Sequence, residues 1–321
     1  MHIARQLSDV VDPRAGNVVS IGFYDGVHLG HRALITSLLE MSSSRGLATT
    51  VVTFDQHPAR VLRPEVAPQL LCDLDQKLEL LGETGVDQTL VIHFDEAQAA
   101  QPAEDFVTSV LVDALQARVV VVGEDFHFGH RRLGNVALLT EMGETHGFEV
   151  IGHHLVGIDW TDARPEQQVS STAIRRAVVE GRIEDANAML GRPHTIRGTV
   201  VGGDKRGRTI GFPTANVVIH PELLQPADGI YVGELVRANA EVLPAAVYQG
   251  RRPTFYEDQP TSILEVHALD WAGDLYGEPV QVQLHKRLRG DRKFDTIEEL
   301  TAQLAIDCQR ATEYLRERDR S

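Results

Sequence analysis

Short apolar stretches alternate with helical segments along the first 185 residues. Five stretches are rich in β-branched residues and have the length of strands: NVVSIGF, LATTVVTF, TLVIHF, ARVVVVG and FEVIGHHLVGI. Segments of helical period lie between them, such as HRALITSLLEMSSSRG and CDLDQKLELLGETG, each ending in a glycine that can cap a helix. Almost continuously apolar strands that alternate with helices predict an α/β domain with a parallel sheet covered on both faces.

The pattern changes near residues 189–198, after which strand-like runs dominate. They are separated by turn signals and comprise HTIRGTVV, GIYVGELV, AAVYQG, SILEVHALDW and PVQVQLHKRL. One helical segment closes the chain, where Thr296 followed by Glu299 predicts a capping box. A small closed β-barrel with a C-terminal helix is the expected architecture of this part. The predicted domains are residues 1–187 and 188–321.

Charge and cysteine content narrow the classes of function. The first 185 residues hold 14 basic and 27 acidic residues, and the remainder hold 17 and 19. Because an acidic first half would repel a nucleic-acid backbone, we expect no nucleic-acid partner. Two cysteines, Cys72 and Cys308, make neither a disulfide framework nor a zinc ribbon. No signal-peptide core or membrane-length apolar run occurs, so a cytoplasmic location without a membrane partner is expected.

The stretch SIGFYDGVHLGHRALI lies between the first long strand and the first long helix. Ligands of parallel α/β sheets bind beyond the carboxyl ends of the strands, which is where this stretch falls. His28 and His31 are spaced by about one helical turn, and Gly22, Gly26 and Gly30 allow close backbone approach. The helix that follows offers free N–H groups to an anion. We therefore predict a cradle for the phosphates of a nucleotide.

Two alternatives stay open for the paired histidines at this stage. They could bind a metal ion together with His127 and His130, although no cysteine supports such a site. They could also be ordinary capping or core histidines.

A second candidate anion site is the helix start in VSSTAIRRAVVEG. Ser171 and Thr172 are capping candidates, and Arg175 lies one turn further on. Taken alone, these residues predict only a good N-cap. Together with the His-x-x-His stretch they resemble the two motifs of the nucleotidyltransferase superfamily, which implies a Rossmann-like fold for the first domain.

Further motifs narrow the resemblance to one family. TFDQHP at 53–58, VGEDFHFGHRRLGN at 122–135, and SSTAIRRAVVEG leading into LGRPHTIRGTV resemble flavin-nucleotide adenylyltransferases. From about residue 18 to residue 307 the chain resembles the bifunctional bacterial riboflavin kinase/FAD synthetase family. The resemblance implies catalytic roles for His28, His31 and Arg175. It implies an ATP site formed by Gly22, Phe23, Asp25, Gly26, His28, Gly30, His31, Gly123, Ser171, Thr172 and Arg175. It implies an FMN site formed by Asp55, His57, Asp125 and Phe128.

The chemistry of adenylyl transfer agrees with these residue types. The phosphate of FMN is already anionic at neutral pH and would attack the α-phosphorus of ATP, expelling pyrophosphate and forming FAD. No general base is needed, so positioning groups and charge stabilisers suffice.

The segment GGDKRGRT, residues 202–209, fits the spacing of a phosphate-binding P-loop but lacks its context. Arg208 stands where the lysine belongs, and Pro213 follows instead of a helix. We therefore reject a P-loop here. Together with Pro-Thr-Ala-Asn, the segment resembles the glycine-rich loop of riboflavin kinases. The implied ATP and flavin contacts are Gly203, Lys205, Gly207, Thr209, Pro213, Thr214, Asn216 and Arg289. Thr214 and Asn216 would supply oxygen ligands to Mg²⁺.

Phosphorylation of riboflavin to FMN uses a hydroxyl nucleophile, which benefits from a carboxylate base. The resemblance places Glu265 in that role. Strand alternation puts Glu265 and His267 on one face, and the alternative is that this face is exposed to solvent.

Three positions depart from the family pattern, namely Tyr24, Gln56 and Tyr248. Two alternatives to a bifunctional enzyme are therefore kept. In the first alternative, the chain retains only one of the two activities. In the second, it is a flavin-binding carrier or regulator without turnover.

Overall fold

The computed structural model describes residues 1–11, 15–154, 156–159, 161, 168–203, 206–250 and 263–320, with the backbone alone at 206 and 263. The chain forms two compact units. The first comprises Met1–Gln69 and Asp73–Ser170, and the second comprises Leu70–Cys72 and Ser171–Ser321.

A six-stranded parallel sheet forms the centre of the first unit. Its strands are β1 (His2–Ala4), β2 (Asn17–Ile21), β3 (Ala48–Phe54), β4 (Gln88–Ile92), β5 (Ala117–Gly123) and β8 (Glu149–His153). Their order across the sheet is β1-β4-β3-β2-β5-β8, and every neighbouring pair is parallel. A short antiparallel pair, β6 (His127–Phe128) and β7 (Gly134–Asn135), follows β5.

Helices cover both faces of this sheet. They are α1 (Leu29–Arg45), α2 (Pro58–Leu62), α3 (Leu74–Gly82), α4 (Glu96–Ala100), α5 (Ala103–Phe106), which continues as a π-helix over Val107–Ala114, and α6 (Val136–His146). Short 3₁₀ turns occur at Leu7–Asp9, Pro64–Val66 and His130–Arg132. Gly46 ends α1 in a left-handed conformation with φ 65°. This is the C-terminal glycine cap that the sequence predicts.

Alternate residues of the central strands enter two separate hydrophobic clusters. Val18 and Val119 pack with Leu38 and Leu81 on one face, whereas Val19 and Val120 belong to the cluster on the other face. The sheet is therefore buried on both sides, and the predicted parallel α/β fold is confirmed.

A closed six-stranded barrel forms the second unit. Its strands are β9 (His194–Val201), β10 (Ala215–Ile219), β11 (Gly229–Arg237), β12 (Val242–Gly250), β13 (Ile263–Ala268) and β14 (Pro279–Gly290). The order around the barrel is β10-β13-β12-β11-β14-β9, and all neighbours are antiparallel. Its helices are α7 (Ser171–Val179), α8 (Ile183–Leu190), α9 (Arg206–Thr209) and α10 (Ile297–Arg318). The predicted barrel with a terminal helix is thus confirmed.

The last helix begins at the predicted cap. The N–H of Glu299 donates to Thr296 Oγ1 at 3.2 Å, and Ala311 and Leu315 pack on the barrel. Further along α10, Arg318 donates to Glu234 on β11, which also contacts His285.

The compact units divide before Ser171, whereas the sequence pattern changes near residue 188. Helices α7 and α8 belong to the second unit, because α8 is tied to the barrel. Asn187 donates from Nδ2 to the carbonyl of Leu284 at 2.8 Å and accepts at Oδ1 from the N–H of His194 at 2.7 Å. The functional boundary at 187–188 stays a prediction.

The second unit also includes a segment from far upstream, Leu70–Cys72. Leu70 forms a parallel bridge with Leu223, donating to the carbonyl of Glu222 and accepting from the N–H of Leu224, both at 2.8 Å. All three residues of the segment are buried.

Within the described ranges, no helix combines the length and the apolar character that crossing a membrane requires.

Candidate active sites

The two paired histidines lie where β2 leads into α1. His28 is the N-cap of α1, and its Nδ1 accepts from the N–H of His31 at 3.3 Å. The two rings are stacked, with centroids 3.6 Å apart and planes inclined by 16°. Because Nδ1 of His28 is an acceptor, a neutral His28 carries its proton on Nε2 and can donate there. The first turn of α1 contains no acidic residue, so its amides suit an anion.

The turn before this helix is strained. Tyr24 has φ 56° and Val27 has φ 37°, and Gly26 between them has φ 76°. A left-handed conformation is unfavourable for a β-branched residue and costs about 1–3 kcal/mol. Such strain persists where the surrounding structure fixes it. Here the N–H of Val27 donates to the carbonyl of Tyr24 at 3.1 Å, and Val27 and Asp25 are buried.

Tyr24, which departs from the family pattern, uses its hydroxyl inside the core. The hydroxyl donates to Ser20 Oγ at 2.7 Å, and Ser20 Oγ donates to the carbonyl of Val121 at 2.6 Å. The ring of Tyr24 lies 5.0 Å from that of His31. Burial raises the pKa of Tyr24 far above its usual range, so the phenol stays a hydrogen-bond donor. Tyr24 therefore packs against the histidine corner, by which we mean the stacked His28 and His31 at the start of α1.

Two of the glycines serve packing within the protein. A Cβ on Gly22 would lie 3.0 Å from the ring of Tyr24, and a Cβ on Gly30 would lie 3.0 Å from the carbonyl of Val169. The ring of His28 would also be 3.2 Å from that second Cβ. Contact of either glycine with ATP stays a prediction.

The loop after β3 lies beside the loop after β2. His57 caps α2 by accepting from the N–H of Ala59 at 3.1 Å, and its ring meets Phe23 edge-on at 4.8 Å. The structure thus brings together one residue predicted for the ATP site and one predicted for the FMN site.

Asp55, also predicted for the FMN site, is held by two neighbours. Its carboxylate accepts from His93 at 2.5 Å and from the N–H of Phe94 at 3.0 Å. Burial alone would raise the pKa of Asp55, but these hydrogen bonds outweigh it, so the net effect lowers the pKa. The same hydrogen bond raises the pKa of His93. Asp55 is therefore an ionised anchor of its loop.

The loop after β5 carries the remaining predicted residues of the first unit. Gly123 ends β5, and a Cβ there would lie 3.1 Å from Oδ1 of Asp125, which is exposed. Phe128 is half-buried, and its ring stacks on Phe126 at 5.4 Å and packs against the core. Contact of these residues with ATP or FMN stays a prediction.

The second candidate anion site, residues 171–175, lies at the start of α7, which belongs to the second unit. The expected approach of Ser171, Thr172 and Arg175 to the histidine corner joins residues of two units and stays a prediction. As for the metal alternative, the described part of the chain contains no group of three His, Cys, Asp or Glu side chains that could hold a metal ion.

Two cavities adjoin each other in the second unit. The first, of about 370 Å³, is lined by the glycine-rich loop, by Pro-Thr-Ala-Asn and by the segment 271–276. The second, of about 310 Å³, is lined by aromatic and aliphatic side chains, among them Phe212, Tyr248, Phe294, Leu300, Leu304 and Cys308. The face of α10 that carries Leu300, Leu304 and Cys308 thus lines a cavity.

Among the described residues, Gly207, Thr214 and Glu265 line both cavities. Glu265 on β13 is opposite Asn216 on β10 and Tyr248 on β12. His267 shares its face and lines the second cavity. This face of β13 therefore lines the cavities, whereas the role of Glu265 as a base stays a prediction.

Glycine is required where the loop meets the strand β10. A Cβ on Gly203 would lie 2.2 Å from Nδ2 of Asn216, and a Cβ on Gly207 would lie 2.3 Å from the carbonyl of Phe212. Real Cβ atoms do not tolerate such distances. Asn216 and Thr214 are thereby brought against the loop in the first cavity.

Other residues predicted for the kinase site have different surroundings. Pro213 lines the first cavity. Thr209 is exposed at the end of α9 and outside both linings, and Lys205 lies outside the described residues. Arg289 lines the second cavity, and its guanidinium donates to both oxygens of Asp307 on α10, at 2.7–3.2 Å.

Sequence reasoning did not select several cavity residues. They are Arg208, Trp271 and Tyr276 in the first cavity, and Phe212, Phe294 and Cys308 in the second. The aromatic residues flanking turn segments were an available signal, because exposed loops seldom need large aromatic side chains without a ligand.

Comparison with known proteins agrees with this layout. Residues 12–173 match the family model described as FAD synthetase, and residues 190–315 match the one described as Riboflavin kinase. The chain is thus a two-domain transferase. One relative is the bifunctional riboflavin kinase/FMN adenylyltransferase of Escherichia coli (strain K12). It is 39% identical over 302 residues, which cover 94% of this chain and 94% of the relative. One of Bacillus subtilis (strain 168) with the same name is 34% identical and covers 98% of this chain and 97% of its own length. This chain belongs to the bifunctional riboflavin kinase/FMN adenylyltransferase family.

A solved structure shares the whole architecture. It is from Streptococcus pneumoniae, is titled as a macrolide-efflux protein, and superposes with a TM-score of 0.83 at 30% identity, covering 95% of this chain and 96% of its own.

Proposed function

We propose that the second unit phosphorylates riboflavin to FMN with ATP, and that the first unit transfers AMP from ATP to FMN, forming FAD and pyrophosphate. One observation carries the proposal beyond the family relationship. Two cavities of unlike chemistry share a wall that contains a carboxylate and a hydroxyl, Glu265 and Thr214.

The chemistry of the two cavities assigns their occupants. The first contains loop glycines, Arg208 and Asn216, which suit the phosphates of ATP. The second contains Phe212, Tyr248 and Leu304, which suit the flat, largely apolar ring of riboflavin.

At the shared wall, Glu265 would accept the proton of the riboflavin 5′-hydroxyl as that oxygen attacks the γ-phosphorus. A base must lie within hydrogen-bond reach of the attacking hydroxyl, close to where it meets the phosphoryl donor, and Glu265 lines both cavities. Riboflavin loses the proton, the γ-phosphoryl group passes to its oxygen, and ADP leaves.

Thr214 and Asn216 would hold Mg²⁺ at the first cavity. The fit is supported by their oxygen donors, which line the same cavity as the glycine-rich loop. Magnesium supplies charge neutralisation of the ATP phosphates when bound.

In the first unit, the histidine corner would receive the ATP phosphates. Nε2 of His28 donates, the amides of α1 face the anion, and the stacked His31 keeps both rings in place. The FMN phosphate attacks the α-phosphorus in line and pyrophosphate leaves, without a base. Asp55 and His57 would orient FMN from the neighbouring loop after β3.

A time course tests the proposal. Purified protein is incubated with riboflavin, ATP and Mg²⁺, and flavins are separated by chromatography. We expect FMN to appear first and FAD to follow, and a second reaction fed with FMN to give FAD directly.

Other outcomes contradict parts of the proposal. FMN as the final product under both feeds would refute adenylyl transfer and leave a kinase alone. FAD from FMN but no product from riboflavin would refute the kinase. Tightly bound flavin without product under either feed would indicate a carrier.

A further inference from the structure

A buried lysine contacts the chain where β2 and β3 each lead into their following loops. Lys77 is on α3, and only 3% of the residue is exposed. Its Nζ donates to the carbonyl of Phe54 at 2.7 Å and to the carbonyl of Phe23 at 3.2 Å. One side chain therefore contacts the backbone of two separate loops.

These two loops are those of the proposed adenylyl transfer site. Phe23 follows β2 and leads into the histidine corner, whereas Phe54 ends β3 and leads into Asp55 and His57. Since β2 and β3 are parallel neighbours, their carboxyl ends lie at the same edge of the sheet. Beyond that edge, hydrogen bonds of the sheet no longer fix the distance between the loops.

Lys77 also fixes a side chain. Its ammonium lies 4.1 Å from the centroid of the Phe23 ring, which meets His57 edge-on. The carbonyl of Phe23 accepts a second hydrogen bond, from Thr53 Oγ1 at 3.0 Å. The contacts run from α3 through Phe23 to His57.

Packing alone does not account for a lysine here. A buried ammonium loses its hydration, and an unbranched apolar side chain of similar length would fill the same space without that cost. What the ammonium adds is its set of donors toward loop carbonyls.

We propose that Lys77 is a positioning residue for adenylyl transfer, setting the distance between the ATP loop at Phe23 and the FMN loop at Phe54. The inference rests on the proposed placement of ATP and FMN in these loops. Lys77 itself contacts neither reactant and acts through the two carbonyls and the Phe23 ring.

The test compares Lys77→Met with Lys77→Arg in the full chain. Because the FMN loop would lose its tie to α3 and bind FMN less well, Lys77→Met is expected to raise the KM for FMN about tenfold or more. Riboflavin phosphorylation by the same preparation stays unchanged and reports the protein concentration. Lys77→Arg, which can donate to both carbonyls, recovers most of the loss.

Leu81→Ala is the matched structural control. Leu81 is on the same helix and fully buried in the core, but its side chain has no donor for either carbonyl. It lowers the stability of the first unit while the KM for FMN of the folded enzyme is kept. If Lys77→Met gives this same pattern, or a normal KM, the proposal is refuted.

Thr53→Val covers the case in which Lys77→Met does not fold. It removes the second donor to the Phe23 carbonyl with little change in volume, and the KM for FMN is expected to rise in the same direction. A normal KM in folded Thr53→Val then refutes the proposal. Asp55→Asn distinguishes a failure of the proposed FMN placement from a failure of the role of Lys77. If Asp55→Asn leaves the KM for FMN unchanged, the FMN placement is refuted. If Asp55→Asn raises the KM and Lys77→Met does not, only the role of Lys77 is refuted.

Discussion

His28 combines a capping role with a second ring nitrogen that can donate. Its Nδ1 caps α1, and the tautomer this requires leaves the proton on Nε2, on the side away from the helix amide. The residue spacing predicts that the two imidazoles share a side, and the stacking of His28 on His31 confirms it. Capping was one of the alternatives kept open for these histidines, and His28 does cap α1, directly after the strained turn at Tyr24 and Val27.

His28→Ala is expected to lower FAD formation from FMN by about 10²–10³-fold, because a preorganised donor to developing charge is lost. FMN formation from riboflavin stays normal. Chromatographic rates for both steps check this, with the exposed His146→Ala as control. Equal loss of both steps would show that the two activities do not use separate sites.

Glu265→Gln is expected to have the opposite effect. The amide keeps the shape of the side chain but cannot accept the hydroxyl proton, so FMN formation falls by about 10²–10⁴-fold. FAD formation from supplied FMN is retained. Glu241→Gln, exposed in the hairpin after β11, is the control. A Glu265→Gln variant with normal kinase rates would remove the base from the mechanism.

At the scale of elements, α10 both closes the hydrophobic core and lines the second cavity. Ala311 and Leu315 pack on the barrel, whereas Leu300 and Leu304 line the cavity. The ion pair of Arg289 with Asp307, which is 1% exposed, connects the cavity-lining part of α10 to β14.

Asp307→Ala is expected to destabilise the second unit by about 3 kcal/mol, because it leaves a largely buried guanidinium without its carboxylate. The KM for riboflavin rises more than the KM for ATP, since α10 lines the second cavity only. Urea unfolding and kinase kinetics measure the two effects. Glu313→Ala, on the exposed face of the same helix, is expected to change neither. A normal KM for riboflavin in folded Asp307→Ala would contradict this role of the ion pair.

Long periodic elements were predictable and short ones were not. The strands β2 to β5 and the helices α1, α3 and α10 carry enough repeats of their period to be recognised. β1 has three residues and β10 follows Pro213, so neither gave a pattern. The resemblance names Glu265, which lines both cavities, and its role there stays a prediction. Contacts that join distant segments were not predictable, as for Lys77, because a lysine on a helix ordinarily indicates a solvent-facing position.

For the whole molecule, acid is expected to weaken the second unit through one buried group, His194, and one half-buried group, Glu234. Burial, with a contribution from the charge of Arg192, lowers the pKa of His194 to about 4. Burial would raise the pKa of Glu234, but hydrogen bonds from His285 and Arg318 outweigh it and lower the pKa to about 2. In both cases the unfolded chain binds the proton more tightly than the folded unit.

Neutral, buried His194 makes its full contribution to the free energy of unfolding above its unfolded pKa of about 6.5. This contribution is lost as the pH falls toward 4, a change of about 3 kcal/mol. The contribution of Glu234 is lost at lower pH, as the pH falls from its ordinary pKa of 4.5 to about 2. Urea unfolding across this range measures both. In His194→Gln the loss above about pH 4 is expected to be much smaller. An unchanged slope would mean that His194 does not carry it.

The upstream segment Leu70–Cys72 has a consequence for dividing the molecule. A gene fragment starting at Ser171 encodes every strand of the barrel, yet it omits the tripeptide that hydrogen-bonds on both sides of Leu223. Such a fragment would uncover buried leucines and leave a backbone edge open to other chains. A freestanding kinase cut from this protein therefore needs these three residues grafted back, for example by a linker before Ser171. Its two activities share one continuous polypeptide that cannot be separated cleanly by a single break.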